Sequence, residues 1–363
     1  MLSIVYITFR EHCKFEWFID SLVKQSDSSL RKNIQIIIVD GFLFEGNYQR
    51  KEYISSTINN QFEFVHVEPK PTPWQGRHRI TDFNYFAAAN TRNTGACYAK
   101  YDYIAFHDDL GVPNQTWLKA VLDAKDAHQI HCGAYTKSND MVVENGILIS
   151  KKDNGVDTRF PYYTDLISIC MEGHLYGSSF CMPINVYFEL NGINEMCDGC
   201  GGEDYELGIR LTRKGYKYYY NKLMFIYESE DFFGSDKNRT CIRCDPKKNE
   251  NDPISDLSHY MLNYSKNGPL AVNSKFSLKE YNHKITHLKL DPDTVFIKPD
   301  PNEIHFFTNN LISNGLVMKT KDNFNWEIYI QKYPDLCKAG INTADKAWNH
   351  YQRFGINENR NDF

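Results

Sequence analysis

The sequence has no surplus of positive charge: 41 lysines and arginines stand against 46 aspartates and glutamates, a formal net charge of -5 over 363 residues. A nucleic-acid face or an anionic membrane surface calls for the opposite balance, so neither is expected as a partner. No run of about 18 apolar residues occurs, which excludes a membrane-spanning helix. The opening stretch MLSIVYITFREHCKFEW meets Arg10 and Glu11 after a short apolar run, so no export signal and a cytoplasmic location are expected. No long internal repeat is present, which sets aside solenoid architectures. The composition also lacks the polarity of a disordered chain: 42% of residues are hydrophobic, and a packed core is expected. The 10 cysteines then read as thiols in a reducing compartment rather than as a disulfide framework.

What is present is an alternation of apolar runs and helical patterns. SIVYIT (Ser3–Thr8), NIQIIIVD (Asn33–Asp40), FEFVHV (Phe62–Val67) and the run from Asp102 to Phe106 read as strands. Between them, FEWFIDSLVKQ and the segment from Asn84 to Lys100 carry helical spacing, and a further helix is expected over Asn114–His128. NIQIIIVD is nearly all apolar, as a strand covered on both faces should be. The pattern predicts an α/β fold with a mostly parallel sheet flanked by helices. Ser150–Arg159 (SKKDNGVDTR) reads as a polar loop, Tyr216–Tyr227 as a strand region, and Asp231–Asp256 as a long loop. Three regions follow: a main domain over 1–268, an extended, proline-bearing linker over 269–322, and a small helical module over 323–363.

The acids fall at informative places. Asp40 ends one predicted strand, and His107-Asp108-Asp109 follows another. Ligands of open α/β sheets bind beyond the carboxyl ends of strands, so these acids are expected to line one crevice. Adjacent carboxylates there are hard oxygen donors suited to Mg2+ or Mn2+ with a bound phosphate. The other reading of a single strand-end aspartate is a turn residue. Further on, GGEDYELGIRLTRKGY brings Gly201 and Gly202 to a turn and Glu203-Asp204 to the start of a helix. Acids there complement the helix dipole; held at a crevice, a carboxylate can also deprotonate an acceptor hydroxyl.

As a set, these segments resemble the GT-A glycosyltransferases of the broad family 2 type. SIVYITFRE resembles the first strand and nucleotide-binding turn, and IIIVDG the second strand. ANTRNTGA (Ala89–Ala96) resembles the ARN-x-G segment, FHDDL the metal-binding DxD motif, and GGEDYELGIRLTRKGY the ED motif with its helix. The resemblance covers roughly residues 1–235, and it implies a Rossmann-like GT-A domain over 1–268. It implies a hexosyltransferase moving a sugar from a nucleotide-sugar donor, with UDP as the expected nucleotide, to an acceptor hydroxyl with inversion. By the same resemblance Thr8, Arg10, Asp40, Arg92 and Asp108 hold the nucleotide, and Asp109 and Asp108 hold Mn2+ or Mg2+. Asp204 is the base with Glu203 beside it, and Gly177, Ser178 and Gly202 approach sugar or acceptor. A glycan, a protein or a lipid-linked molecule could serve as acceptor, and the oligomeric state stays open.

Two departures stand out. The acidic motif is His-Asp-Asp rather than a literal Asp-x-Asp. Where the family often completes its metal site with a histidine, this chain has Tyr227-Glu228-Ser229-Glu230, so Glu228 and Glu230 are the carboxylates that could substitute. Trp74, close to Arg77, His78 and Arg79, can be read as a sugar platform or as a buried tryptophan, the second being the commoner role. Two CxxC pairs, Cys197/Cys200 and Cys241/Cys244, have the ligand types of a structural Zn2+ site, but the stretch between them is longer than the compact pattern. Three alternatives remain beside the transferase. One is a catalytically inactive nucleotide-sugar or carbohydrate-binding protein. Another is a zinc-ribbon interaction protein. The third, a sugar-phosphate nucleotidyltransferase, wants a glycine-rich phosphate loop near its N-terminus that this chain lacks.

Overall fold

The computed structural model describes residues 1–45, 48–72, 74–75, 86–199, 201–231, 277–296, 324–355, 358 and 360. Its centre is one ten-stranded mixed sheet. β1 (Leu2–Thr8), β2 (Ile34–Asp40), β3 (Glu63–Val67) and β4 (Tyr103–Asp108) run parallel in the order β3-β2-β1-β4. Every residue of β1 and β2 is buried, which is why both read as unbroken apolar runs. β9 (Ser179–Pro183) joins β4 antiparallel, then come β6 (Ile130–Glu144) and β10 (Tyr218–Ser229), which are parallel to each other. β5 (Gly111–Pro113) and β8 (Ile167–Ile169) pair with β10, and β7 (Ile147–Val156) pairs with β6. The expected α/β fold with helices covering a sheet is therefore present, with a parallel first half and a mixed second half.

Alternate side chains of the parallel strands enter two cores. Leu2, Ile4, Tyr6, Ile36 and Ile38 pack with Phe15, Phe18 and Leu22 of helix α1 (Phe15–Lys24). Val5, Ile7, Ile37 and Val39 pack on the other side with Ala89 and Ala96 of helix α3 (Ala88–Tyr98). Helix α2 (Tyr48–Ile58) buries Ile54 and Ile58 in the first core, and helix α4 (Trp117–Asp126) adds Trp117, Leu118 and Val121. Helix α5 (Glu203–Arg213) places Leu207 and Leu211 in the second.

The structure corrects one expectation. Residues 150–156, read as part of a loop, belong to strand β7 of a hairpin with β6. Asn145 and Gly146, between the strands, both have positive φ (48° and 71°), as a type I′ turn requires. Many side chains of this arm are exposed, so its polar composition hid a strand. Within 269–322, read as an extended linker, residues 277–296 are described: Leu278–Asn282 and Pro292–Val295 are helical, and Leu278, Tyr281 and Val295 are buried in the main core. A capping box between Ser277 and Glu280 starts the first of these helices. Near the C-terminus, helices Trp326–Lys332, Pro334–Lys338 and Ala344–His350 share a separate small core of Phe324, Tyr329, Leu336, Ala347 and Tyr351.

Candidate active site

The site is assembled where β1 and β4 end. Thr8, the last residue of β1, is fully buried and donates its hydroxyl to Asp109 Oδ2 at 2.6 Å. Arg10 Nε donates to Asp109 Oδ1 at 3.2 Å. Asp109 is thus held by the turn that was expected to hold a nucleoside. His107 is buried against Tyr6, Phe18 and Trp117, and burial pushes its pKa down to about 3, so it is neutral.

Arg92, on α3, is the hub. Its guanidinium is 2% exposed and reaches Asp108 Oδ1 at 2.8 Å and Glu203 Oε1 at 2.9 Å. The same group donates to the carbonyl of Gly177 at 3.1 Å. One cation therefore joins the end of β4, the start of α5 and the segment before β9. A Cβ on Gly177 would stand 2.5 Å from Arg92 Nη2 and 3.0 Å from Cζ, so any other residue there would displace the guanidinium. Its backbone N–H also donates to Asp204 Oδ2 at 2.7 Å, while the N–H of Tyr205 donates to Oδ1 at 2.7 Å. Asp204 is fixed by two backbone donors at the start of a helix that Gly202 caps with φ 80°.

The carboxylates press on one another. Burial, then the neighbouring Glu203, pushes Asp204 up to about 6. Burial also raises Asp108 to about 6, against the pull of Arg92. Glu228 rises to about 7, by burial and by the charges of Asp108 and Asp109, with Ser178 beside it. Glu230 points elsewhere: it lies 3.5 Å from Lys137 and accepts from Asn154. Of the two carboxylates proposed to stand in for the missing histidine, Glu228 is the one the structure brings to Asp108 and Asp109.

Asp40 is closed off from solvent. It is fully buried, with Oδ2 taken by Arg50 at 2.7 Å and His66 at 3.1 Å, and Oδ1 by the N–H of Phe42 at 2.9 Å. Its pKa is lowered, the hydrogen bond from His66 and the charge of Arg50 outweighing its burial. Trp74 takes the blander role: it is 1% exposed and donates to the carbonyl of Glu195 at 3.0 Å. Arg77, His78 and Arg79 lie outside the described residues, as do Cys200, Cys241 and Cys244, three of the four candidate zinc ligands. Cys197 is described and buried.

Sequence reasoning missed the braces behind the site. Asp198 accepts from the N–H of Ala89 at 2.6 Å and of Asn90 at 3.0 Å, and so caps the helix that carries Arg92. Glu195 is buried with Lys70 at 2.6 Å and Asn93 at 2.7 Å. Both acids come from the segment just before the GGED turn. Nothing local marks a cap supplied by a residue so distant in sequence.

Among the described residues, no three His, Cys, Asp or Glu side chains are already gathered to hold a metal ion. The chemistry of Asp108, Asp109 and Glu228 nonetheless fits a hard divalent cation. All are oxygen donors, and the mutual repulsion that helps raise Glu228 is what a cation among them would relieve.

No family model matches the chain, and no curated protein matches it. Among solved structures it is similar to GalNAc-T7 with UDP, GalNAc and Mn2+, at 13% identity and a TM-score of 0.49, covering 94% of this chain and 58% of that one. It is also similar to S. aureus TarS 1-349 in complex with UDP, at 10% identity and a TM-score of 0.46, covering 97% of this chain and 91% of that one. A complex of the same TarS piece with UDP-GlcNAc gives 12% identity and a TM-score of 0.46, covering 97% of this chain and 91% of that one. Likenesses this distant carry no weight for the chemistry of the site.

Proposed function

We propose that the chain is a GT-A-type glycosyltransferase that moves a sugar from a nucleotide-sugar donor, a UDP-sugar in the first instance, to an acceptor hydroxyl with inversion. The observation that carries this is the Arg92 bridge. It ties a strand-end acid, Asp108, to the helix-start acid Glu203, beside Asp204, at the carboxyl end of parallel strands, where ligands of such sheets bind. In this reading the two acidic motifs have separate tasks. Asp108, Asp109 and Glu228 face the donor diphosphate and would hold Mn2+ or Mg2+. Such an ion, when bound, supplies positive charge to the departing diphosphate.

Asp204 is the base. Both its oxygens are oriented by backbone N–H groups, and its raised pKa suits proton transfer near neutrality. It takes the acceptor hydroxyl proton as that oxygen attacks the sugar C1 and the nucleoside diphosphate leaves. Glu203, tied to Arg92, holds the base's surroundings in place. Arg92 is committed to carboxylates, so in this reading it positions residues and does not grip phosphate.

The test is a melting screen of nucleotide sugars with and without Mn2+, followed by transfer assays on Asp204→Asn. A ligand that binds only the folded chain raises stability by about 2.7 kcal/mol at a hundredfold excess over Kd. Asp204→Asn should keep that shift and lose about a thousandfold in transfer rate, within the range for removal of a general base. No melting shift with any nucleotide sugar, or transfer by Asp204→Asn near the wild-type rate, would overturn the reading.

A further inference from the structure

The side chain of the residue after the proposed base has no part in the chemistry so far. Tyr205 opens onto solvent with 44% of its surface exposed, although it sits in the first turn of α5. One side of its ring is covered. A Cβ built on Gly173 would collide with Tyr205 Cε2 and stand 2.7 Å from both Cδ2 and Cζ. Both flanking ring atoms are nearer than an in-plane approach past the Cε2 hydrogen would allow, so the glycine lies over the face of the ring, not at its edge. Gly173 has φ +78°, so both conformation and space favour glycine there. The ring is thus laid flat on the backbone, with its remaining exposure on the far face and rim.

The surroundings narrow what such a face would take. Glu172 and Asp204 flank the contact in sequence; Glu172 lies 3.5 Å from Arg213, and Asp204 feels the charge of Arg92. With a cation beside each acid, the rim carries no surplus positive charge to hold a phosphate-bearing acceptor. The aromatic surface continues beyond Gly173: the His174 ring meets Tyr162 edge to face at 5.5 Å, and Tyr162 is 65% exposed. A pyranose presents a flat C–H face to an aromatic ring and keeps its hydroxyls at the edge, where Asp204 can reach one.

Resting on the transferase reading above, we infer that Tyr205, seated on Gly173, is the platform on which the acceptor's pyranose ring stacks beside Asp204. The acceptor is then an uncharged glycan rather than a lipid phosphate or a polyol phosphate.

Binding is read by saturation-transfer NMR on the intact chain without donor. The probes are methyl β-glucopyranoside, methyl β-galactopyranoside and methyl N-acetyl-β-glucosaminide, with ribitol and glycerol 3-phosphate as comparisons. At least one pyranoside should receive saturation on its C–H face. Tyr205→Ala and Tyr205→Leu should weaken its binding about tenfold, while Tyr205→Phe and Tyr205→Trp stay within about threefold. Two variants without a ring guard against one that fails to fold, which unchanged melting temperatures would show. Pyranoside binding unchanged in Tyr205→Leu, or ribitol and glycerol 3-phosphate bound as well as any pyranoside, would overturn the inference. Because no donor is consumed, this result is separate from the transferase reading. Pyranoside stacking without donor turnover would remove that reading and leave the platform; turnover with Tyr205-independent acceptor binding would do the reverse.

Discussion

Gly177 joins Arg92 to the proposed base with one backbone: its carbonyl accepts from Arg92 and its N–H donates to Asp204. Gly177→Ala would push a methyl into a guanidinium that is buried and already committed to two carboxylates. A displacement of about 1 Å at a reacting group can cost about a hundredfold, and a loss of that order in kcat/KM is expected. A variant with near wild-type kcat/KM would show that the Arg92 bridge does not set the site. The ionisation of Asp204 gives a second expectation. With its pKa pushed up to about 6, kcat/KM should fall about tenfold per pH unit below that point and level off above it. A profile flat from pH 5 to pH 8 would remove Asp204 as the base. Much of this was legible in the residues: Asp108, Asp109, Arg92, Glu203, Asp204 and Glu228 are all brought into one region. Asp40 was not legible in the same way. A strand-end aspartate looks alike whether it faces a ligand or, as here, the buried Arg50 and His66, because the partners that close it off lie on other elements.

At the scale of elements, the parallel strands could be read because burial on both faces leaves a continuous apolar run. The β6–β7 hairpin could not be read from hydrophobicity, since its arm is largely exposed. Its signal was the Asn145-Gly146 pair in VVENGILIS, a turn signature rather than a core signature. The tip of that hairpin lies against α1, where a Cβ at Gly146 would run into the backbone of Asp20 and Ser21. Gly146→Ala adds left-handed strain to that collision, so a loss on the order of 1–3 kcal/mol is expected in a urea melt. An unchanged midpoint would mean that the hairpin does not dock on α1 in solution. The helix carrying Arg92 shows the opposite kind of concealment. Its N-terminus is capped by Asp198, from the segment just before the GGED turn, a partner no local pattern reveals.

For the whole molecule, the buried acids set how stability depends on pH. Asp108, Asp109, Asp198, Asp204 and Glu228 all have raised pKa values, mainly by burial, so the folded chain binds protons more readily than the unfolded one. Their contribution is complete below the ordinary carboxylate range and is lost as pH rises through about 6 and 7. The melting temperature should therefore fall between pH 5 and pH 8, and Mn2+ should reduce the fall. Glu228→Gln should raise stability at pH 8 by on the order of 1 kcal/mol and make no difference at pH 4. A Glu228→Gln chain that is less stable at pH 8 would place that side chain outside the acidic cluster.

The Arg92 bridge has one more consequence. A single guanidinium shared between Asp108 and Glu203 cannot be drawn toward one without loosening its hold on the other. If the chain is the transferase proposed above, occupation of its donor side and of its acceptor side are then linked equilibria. Whatever factor the donor applies to acceptor affinity, the acceptor must apply to the donor. Measured in both directions, the two factors should agree in the intact chain and fall toward unity when Arg92 is replaced by a shorter cation that cannot span both carboxylates.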